Sequence, residues 1–413
     1  MKPTFTRTLP PGVGRLLGPT APISRRDDLL LKSLFFTIWA AVGMFFPFVS
    51  VYYRSIGLTG TQIGLIGSLG ALSAAFGSTI WGMLNDRYGK LPMIYSLVIG
   101  GAIALSQVIL QIRSFAVLLP CAAVFSFFNS GLVPLLDSAA LRILGEHRQS
   151  YGAYRLWGTF GFILTCSISG FTLERTGLSA IFTGYALALA VFWLTTRRLP
   201  DRTPGPDVQL FAGLKVMVRN PRWTLFAASI LILWLASMAG LGFLAIVIKE
   251  MGGGERMVGL NSTIAALAEI PLLVGSSWAL RRFGPARLLT IAMLTYGLRM
   301  VLYSLMPDYH WALWISLLQS LSYCPFLIGS VAYANELAPE HLKSTSQGLL
   351  ATIMNLANLF GSPAGGWLFD HAGRATMYLV LAATCFAALA LFAGGQAVFK
   401  RRSTAVWTVE ESL

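Results

Sequence analysis

The hydrophobic pattern of this chain is a succession of long apolar windows separated by short polar breaks. A helix that crosses a bilayer needs about 20 apolar residues, and ten windows of that kind carry no charged residue. Two further windows, 257–280 and 288–306, are each interrupted once, by Glu269 and by Arg299. The pattern therefore predicts an all-α membrane protein with twelve transmembrane helices. The ten uninterrupted windows are 34–53, 61–85, 91–112, 114–136, 156–173, 176–196, 223–248, 309–335, 344–369 and 375–399.

The apolar windows repeat at a fixed spacing. Ile63-Gly64-Leu65 opens the second window and Val258-Gly259-Leu260 opens the eighth, an offset of 195 residues. Tyr88-Gly89 and Phe283-Gly284, which follow those two windows, have the same offset. Two anchors at one spacing predict two pseudo-repeats of six helices, an architecture typical of one large class of transporters, with the binding site where the repeats meet.

The polar segments between and around the repeats define the expected domains. The two six-helix bundles are predicted at 29–196 and 222–399. The longest polar stretch, 197–221, contains Pro and charge and is expected to be a cytoplasmic linker between them. The terminal segments, 1–28 and 400–413, are expected to be cytoplasmic tails.

Composition and charge exclude a water-soluble domain and indicate an orientation. Of the 413 residues, 55% are hydrophobic and 12% are charged, and the mean hydropathy is +0.66. With the N-terminus inside, 22 Lys and Arg residues fall in inner segments and six in outer loops. Cytoplasmic loops are enriched in basic residues, which predicts a multi-pass protein of the inner (cytoplasmic) membrane with both termini in the cytoplasm. The net charge of +14 forms no compact patch, so we expect anionic-lipid contacts and no nucleic-acid partner.

Motifs for catalysis or metal binding are missing from the sequence. The four cysteines lie singly inside apolar windows without metal-ligand spacing. No nucleotide-binding loop or nucleophile elbow occurs. We therefore expect a monomeric protein that is not an enzyme and binds no metal or cofactor, so that a proton gradient supplies the driving force.

The turn after the second window reads GMLNDRYGK at residues 82–90. It resembles the loop between helices 2 and 3 of the major facilitator superfamily, whose pattern is Gly-x-Leu-x-Asp-Arg-x-Gly-Arg/Lys. The resemblance implies a conformational latch between the two halves, whereas the simpler alternative is an ordinary turn with surface charges. We expect close helix approach at Gly82 and a tight turn at Gly89. The latch residues are Gly82, Asp86, Arg87, Gly89 and Lys90.

A carboxylate, Asp137, directly follows the uncharged stretch 114–136. Charged groups in membrane helices usually face the bundle interior or a wet cavity and are paired. Arg155 lies near the start of the next window, and a short loop places the two side chains at comparable depth. We therefore expect Asp137 and Arg155 to interact, either as solute ligands or as a structural salt bridge.

Residues 129–162 resemble the helix 4 to helix 5 region of the lactose permease branch, which includes oligosaccharide, nucleoside and phenylpropionate symporters. In that branch an acid in helix 4 and an Arg in helix 5 grip the solute. The resemblance implies that Asp137, Arg155 and Asn129 are solute-binding residues. Phe162 stands where the sugar permease has a Trp that stacks on the sugar, so an aromatic face is kept while the indole donor is lost.

A second pair of charges, Glu269 and Arg299, lies near the middle of the two interrupted windows. Neither side chain reaches water easily, so a cavity or a mutual ion pair is required. Arg299 matches by position an Arg that takes part in proton coupling in the resembled permease, whereas Ser320 and Tyr323 replace its helix 10 His and Glu. We expect Glu269 to carry the proton and Arg299 to tune it, with a static clamp as the alternative. Tyr323 is a further candidate for substrate binding.

These features favour a secondary transporter that takes up a small organic solute by proton symport and alternating access. A sugar, a nucleoside or an aromatic acid fits the resemblance. The alternative is a drug or metabolite exporter of the same superfamily that works as a proton antiporter. Against it, the Gly-rich run ending in Gly-Pro that such exporters carry in helix 5 is absent from WGTFGFILTCSISGF at 157–171.

Overall fold

The computed structural model describes residues 23–199, 217, 219–339 and 342–410, and these residues contain helices and no β-strand. We number the helices α1 to α12, and a helix with a break has two ranges. The first half consists of α1 (Arg25–Ser55), α2 (Gly60–Tyr88), α3 (Leu91–Gln111), α4 (Phe115–Asn129 and Leu132–Leu144), α5 (Tyr151–Thr176) and α6 (Ala180–Thr196). The second half consists of α7 (Pro221–Glu250), α8 (Glu255–Val274 and Ser276–Phe283), α9 (Pro285–Leu305), α10 (Trp311–Ser316 and Gln319–Leu337), and α11 and α12, the parts of Lys343–Glu410 before and after Gly373.

The helices have the length and composition that a bilayer requires. Within the part of the chain that the structure describes, ten segments are long and apolar enough to cross a membrane, and α6 is a shorter apolar helix. The last of the ten contains two predicted spans, because Gly373 has a φ of 74° that interrupts the helix. Gly361 and Gly395, on either side of that interruption, both pack against α7, so the chain reverses there. The prediction of an all-α membrane fold is confirmed.

The sequence repeat is reproduced in the backbone. Gly89 ends α2 with a φ of 64°, and Gly284 ends the second piece of α8 with a φ of 72°. Only glycine adopts this left-handed region without steric cost. The two helices begin at Gly60 and Glu255, so both their starts and their ends keep the spacing seen in the sequence.

The fourth helix is broken, although the sequence predicted one uninterrupted span at 114–136. The break lies at Ser130 and Gly131. Pro134 has no N–H, so the carbonyl of Ser130 lacks its helical donor. A Cβ on Gly131 would lie 2.9 Å from the Trp81 ring, which is why a larger residue does not fit there. The second piece, Leu132–Leu144, carries Asp137.

Two expected domain boundaries differ from the structure. Helix α1 begins at Arg25, inside the segment 1–28 predicted as a tail, because the Ser24 side chain caps it by accepting from the Asp27 amide at 3.1 Å. The last helix continues to Glu410, past the expected end at 399. Residues 1–22 of the expected tail, 411–413, and 200–216 and 218 of the expected linker lie outside the described residues.

The two halves meet at helix crossings that depend on small residues. Helix α2 crosses α11, where a Cβ on Gly64 would lie 2.7 Å from Pro363 Cα. Helix α5 crosses α8, where a Cβ on Gly259 would lie 3.1 Å from Gly170 Cα. Small residues allow helix backbones to approach this closely inside a membrane. The two crossings are related by the same pseudo-symmetry as the repeats.

Hydrogen bonds between the halves close the side of the bundle at which α1 ends, which we call the far side. The Asp370 carboxylate accepts from the Gly60 and Thr61 amides, both at 2.7 Å, and from the Thr61 hydroxyl at 2.8 Å. Those amides are the free donors at the start of α2, where the helix dipole also favours an anion. Arg54 pairs with Glu250 at 2.8 Å beside them. We call these five residues the far-side clasp.

Candidate functional site

A cavity of about 750 Å³ lies between the two halves. Its walls come from α1 and α5 in the first half and from α7, α8, α9 and α10 in the second. This size and position suit a small organic solute. Leu, Ala and Val side chains form much of the wall. The charged, amide and aromatic residues in the wall include Trp39, Tyr151, Arg155, Phe162, Asn261, Glu269, Arg299, Gln319 and Tyr323.

Glu269 and Arg299 are joined through Gln319. The Gln319 amide donates from Nε2 to Glu269 Oε1 at 3.0 Å, and Gln319 Oε1 accepts from Arg299 Nη1 at 2.5 Å. Gln319 is the first residue after the break in α10, which places it between α8 and α9. The described residues contain no direct ion pair between Glu269 and Arg299, so the neutral amide separates the two charges.

Arg299 is buried, with 1% of its surface exposed. Besides Gln319, it donates from Nη1 to Ser322 Oγ at 2.7 Å and from Nη2 to the Tyr303 hydroxyl at 3.1 Å. Among the described residues its Nε has no partner. A buried charge is tolerated only when it is well hydrogen-bonded, and here neutral oxygens from α9 and α10 supply those bonds.

Asp137 bonds to Tyr151, and the described residues show no direct salt bridge between Asp137 and Arg155, although the two charges are close enough to interact electrostatically. Their shared role as solute ligands stays a prediction. The Tyr151 hydroxyl donates to Asp137 Oδ1 at 2.8 Å. Arg155 lies one helical turn beyond Tyr151 on α5, so the tyrosine is the side chain that meets the second piece of α4. Tyr151 and Arg155 line the cavity, whereas Asp137 is not part of its wall.

Arg155 stacks on Trp39 of α1. The guanidinium carbon lies 3.8 Å from the centre of the Trp39 ring system, which is a close cation–π contact. Gly158, one turn after Arg155, permits this approach, because a Cβ there would lie 2.6 Å from Trp39 Cδ1. Within the described residues, Arg155 has no hydrogen bond to an acid.

The remaining predicted solute residues divide between two cavities. Phe162 and Tyr323 line the central cavity together with Arg155. Asn129 instead lines a second cavity of about 430 Å³ between α1, α2, α4, α7 and α11. Its Oδ1 accepts from the Tyr185 hydroxyl at 2.6 Å. The structure therefore does not bring Asn129 together with Arg155, since Asn129 lies just before the break in α4.

The predicted latch loop has one of its two expected backbone features. Gly89 makes the tight turn, and its amide donates to the Asn85 carbonyl at 2.9 Å. Gly82 does not make the expected close helix approach, because nothing lies within 4 Å of the position of its Cβ. Arg87 lies over the Tyr88 ring at 5.8 Å, and Lys90 precedes α3. The latch role of the loop stays a prediction.

The family follows from the length of the chain that matches it. Residues 29–380 match the MFS_1 like family, which is most of the chain and extends from α1 into the start of α12. The chain belongs to this family. The MFS_1 like assignment confirms the resemblance to the major facilitator superfamily, and it identifies the chain as a multi-pass membrane transporter.

Known proteins of this kind resemble the chain along most of its length. Maltose permease of Geobacillus stearothermophilus is 29% identical over 352 residues, which is 84% of this chain and 88% of the permease. The multidrug resistance protein MdtG of Dickeya zeae (strain Ech586) is 27% identical over 300 residues, 67% of this chain and 71% of MdtG. The crystal structure of the nucleoside transporter NupG has a TM-score of 0.78 at 17% identity, covering 89% of this chain and 99% of NupG. At that identity the likeness to NupG shows the MFS_1 like fold alone.

Sequence reasoning did not assign a role to three residues at the centre of the site, Trp39, Tyr151 and Gln319. Trp39 lies inside an apolar window, where a tryptophan carries no polar signal. Gln319 is a polar residue in an apolar window and is spaced i, i+4 with Tyr323, a pattern that favours helix packing over solute contact. The contacts of all three depend on helix rotation, which the sequence pattern does not fix.

Proposed function

We propose that this MFS_1 like transporter takes up a small organic solute together with protons by alternating access between its two halves. The observation that carries the proposal is the environment of Glu269. This carboxyl group lines the central cavity, and it is held by a neutral amide rather than by a cation. Its proton can therefore respond to what occupies the cavity.

The Glu269–Gln319–Arg299 arrangement supplies a means of coupling. An ionised Glu269 accepts from Gln319 and is attracted by Arg299 across the amide. A protonated Glu269 loses that attraction, and its hydroxyl becomes a donor for a solute. Solute binding and protonation then alter each other's free energy, which is the requirement for coupled transport. Arg299 supplies the positive charge that attracts Glu269 when Glu269 is ionised.

The far-side clasp and the basic loops indicate how the protein is oriented in the membrane. We infer that the termini are cytoplasmic and that the protein resides in the inner membrane, because basic residues are concentrated on the terminal side. The clasp then seals the outer face, and the central cavity is the compartment that alternates between the two faces. One chain supplies the whole cavity wall, so a monomer suffices for transport.

Proton flux in liposomes tests the proposal. The purified full chain is reconstituted with a pH-sensitive dye inside the vesicles, and sugars, nucleosides and aryl acids are added outside. Symport predicts that a transported solute acidifies the interior, with Glu269→Gln as the matched control. Solute uptake without proton movement would contradict symport and show that the protein is a uniporter.

Export by proton antiport is the second candidate, and the apolar wall of the cavity and the likeness to MdtG favour it. A drug exporter needs an apolar cavity more than a set of polar ligands. The same dye experiment separates the two functions, because an antiporter moves protons in the direction opposite to the solute.

A further inference from the structure

We propose that the second cavity is a separate binding site, and that it takes an uncharged molecule with an aromatic ring and a hydrogen-bonding group. This cavity of about 430 Å³ lies between α1, α2, α4, α7 and α11. The inference goes beyond the proposed function, because it concerns a different cavity and its ligand need not be transported. Binding there is therefore measured independently of proton symport.

The second cavity is separate from the central cavity. Within the part of the chain that the structure describes, the two walls have no residue in common. Helices α1 and α7 contribute to both walls and contact each other, so they lie between the two cavities. On α7, for example, Leu241 lines the central cavity and Gly242 lines the second. A molecule that fills one cavity therefore leaves the other free.

The two cavities are related by the internal repeat of the chain. Five residues of α8 that line the central cavity have counterparts on α2, 195 positions earlier, that line the second cavity. The same offset relates Gly89 to Gly284. The second cavity thus has the same position relative to the repeats as the central cavity, where transporters of this architecture bind their ligands. The five pairs include Asn261 and Ile66, Ala266 and Ala71, and Glu269 and Ala74.

The second cavity lacks the charge of the central one. The counterpart of Glu269 is Ala74, so the carboxyl group is missing at that position. Among the described residues, no charged side chain lines the second cavity. A charged ligand would leave water without gaining a partner charge, which is unfavourable. The wall therefore selects against ions of either sign.

Aromatic side chains from both halves line the second cavity. The ring centres of Phe45 on α1 and Phe125 on α4 lie 5.5 Å apart. Phe243 on α7 also lines the cavity and stacks on Phe369 at 5.5 Å. Aromatic rings pair at centroid distances of about 4.5–7 Å, so a ring in this cavity has suitable neighbours. The volume is near the lower end of the range for small-molecule sites, about 300–1,000 Å³, which suits one or two rings.

Three polar side chains in this wall are available to a ligand. Tyr53 is only 6% exposed, and its hydroxyl forms no hydrogen bond with a described residue. The Asn358 carboxamide on α11 likewise has no hydrogen-bond partner among the described residues. Asn129 accepts from Tyr185 through Oδ1 at 2.6 Å, which leaves its Nδ2 as a donor. A buried polar group without a partner is costly, so this set favours a ligand that both donates and accepts, such as a primary amide.

A ligand in the second cavity contacts both halves of the protein. The wall includes Gly64 of α2 and Ser362 of α11, which also meet at the crossing between the halves. Opening the far side would separate these two helices and remove contacts on one side of the ligand. A ligand that binds one conformation better shifts the population toward it. An occupied second cavity should therefore hold the far side closed.

Variants that fill one cavity at a time locate the site. The full-length protein in nanodiscs is titrated with 2-naphthamide, and empty nanodiscs give the background from partitioning into lipid. Ala71→Phe fills the second cavity, and Ala266→Phe, its counterpart in the repeat, fills the central one. Ala71→Phe is expected to weaken binding at least about 10-fold, whereas Ala266→Phe leaves it at the level of the parent. Equal binding to Ala71→Phe and the parent, or no binding to the parent up to the solubility limit, would overturn the proposal.

Charged analogues of the amide test the chemical class. 2-Naphthoate and 2-naphthamidinium share its shape and carry a negative and a positive charge. They are titrated into Ala266→Phe, in which the central cavity is filled. Each ion is expected to bind at least about 10-fold more weakly than the amide, because it finds no partner charge in this wall. Binding of either ion as tight as that of the amide would contradict an uncharged site.

Removal of one hydroxyl gives a test that does not depend on filling the cavity. Tyr53→Phe keeps the ring and is expected to weaken binding of 2-naphthamide roughly 2- to 10-fold, with binding of naphthalene unchanged. Tyr88→Phe is the control, because Tyr88 is exposed and lies outside both cavity walls. Unchanged amide binding in Tyr53→Phe would contradict the role of this hydroxyl as a ligand.

Spin labels test the link between the second cavity and the far side. Labels at Ser55 and Asp308, exposed far-side positions of the two halves, are expected to report a larger population at the short distance when 2-naphthamide is bound. Ala71→Phe is the control and should show no change on addition of the amide. An unchanged distribution in the parent with the amide bound would show that the ligand does not hold the halves together.

Discussion

Gln319 donates one hydrogen bond of 3.0 Å to Glu269, and that carboxyl group also faces the central cavity. A carboxylate in a bidentate pair with arginine would be fixed in its ionised form, whereas a single neutral donor leaves it able to take up a proton. The amide thus keeps Glu269 close to Arg299 without neutralising it. This arrangement predicts which variants lose coupling and which lose stability.

Replacement of the cavity carboxyl should uncouple the transporter. Glu269→Gln keeps the size and polarity of the side chain but cannot exchange a proton. We expect accumulation driven by a pH gradient to be lost while counterflow of the solute continues, as measured in proteoliposomes. Glu146→Gln is the control, because Glu146 is exposed in the loop between α4 and α5. Retention of gradient-driven accumulation in the Glu269 variant would exclude it as the proton carrier.

Loss of the bridging amide should destabilise the second half. Gln319→Leu removes the acceptor of Arg299 Nη1 and the donor to Glu269, and leaving a buried polar group unsatisfied costs about 1–3 kcal/mol. We expect the midpoint temperature of thermal unfolding, measured in detergent, to be lower than that of the parent protein. Ser320→Ala serves as the control, since among the described residues the Ser320 hydroxyl bonds to the Leu317 carbonyl of the preceding turn and to no other residue. An unchanged midpoint in Gln319→Leu would show that water replaces the amide.

Weakening the far-side clasp should shift the conformational equilibrium. Asp370→Ala removes an acceptor shared by three donors at the start of α2, and loss of such a cap costs about 0.5–2 kcal/mol. We expect the far side to open in a larger fraction of molecules. Spin labels at Ser55 and Asp308, in exposed far-side positions of the two halves, would report a longer distance. A distance distribution identical to the parent would contradict a gating role for Asp370.

The close packing where α2 crosses α11 should also be required for the far side to close. A methyl group on Gly64 would meet the backbone of Ser362 and Pro363, which cannot move aside as a flexible side chain can. Gly64→Ala is expected to keep the far side from closing and to lower counterflow. Gly100→Ala is the matched control, because nothing lies within 4 Å of that position. Normal counterflow in Gly64→Ala would mean that the crossing adjusts.

The fold was largely predictable because it depends on the length and spacing of apolar windows. Those windows predicted the helices, and the offset between Gly89 and Gly284 predicted the repeat that the backbone reproduces. The helix breaks were harder to predict. Pro134 is visible in the sequence, but an apolar window containing a proline is compatible with either a kink or a continuous helix.

The sequence predicted which charged residues belong to the candidate site better than it predicted which residues they contact. Charges that interrupt apolar windows pointed to Glu269 and Arg299, the resemblance to the lactose permease branch pointed to Arg155, and all three line one cavity. Their partners depend on which face of each helix turns inward, so the neutral residues Trp39 and Gln319 gave no comparable signal. Asn129 shows the same limit, since the break in α4 directs it to a different cavity.

The burial of Arg299 has a consequence for how the chain enters the membrane during synthesis. An arginine at the centre of a lone inserting helix costs roughly 2.5–3.5 kcal/mol. Two of its hydrogen-bond acceptors, Gln319 and Ser322, lie on α10, which leaves the ribosome after α9. Helix α9 is therefore poorly suited to partition into lipid by itself, and the translocon would release α9 and α10 together as a hairpin.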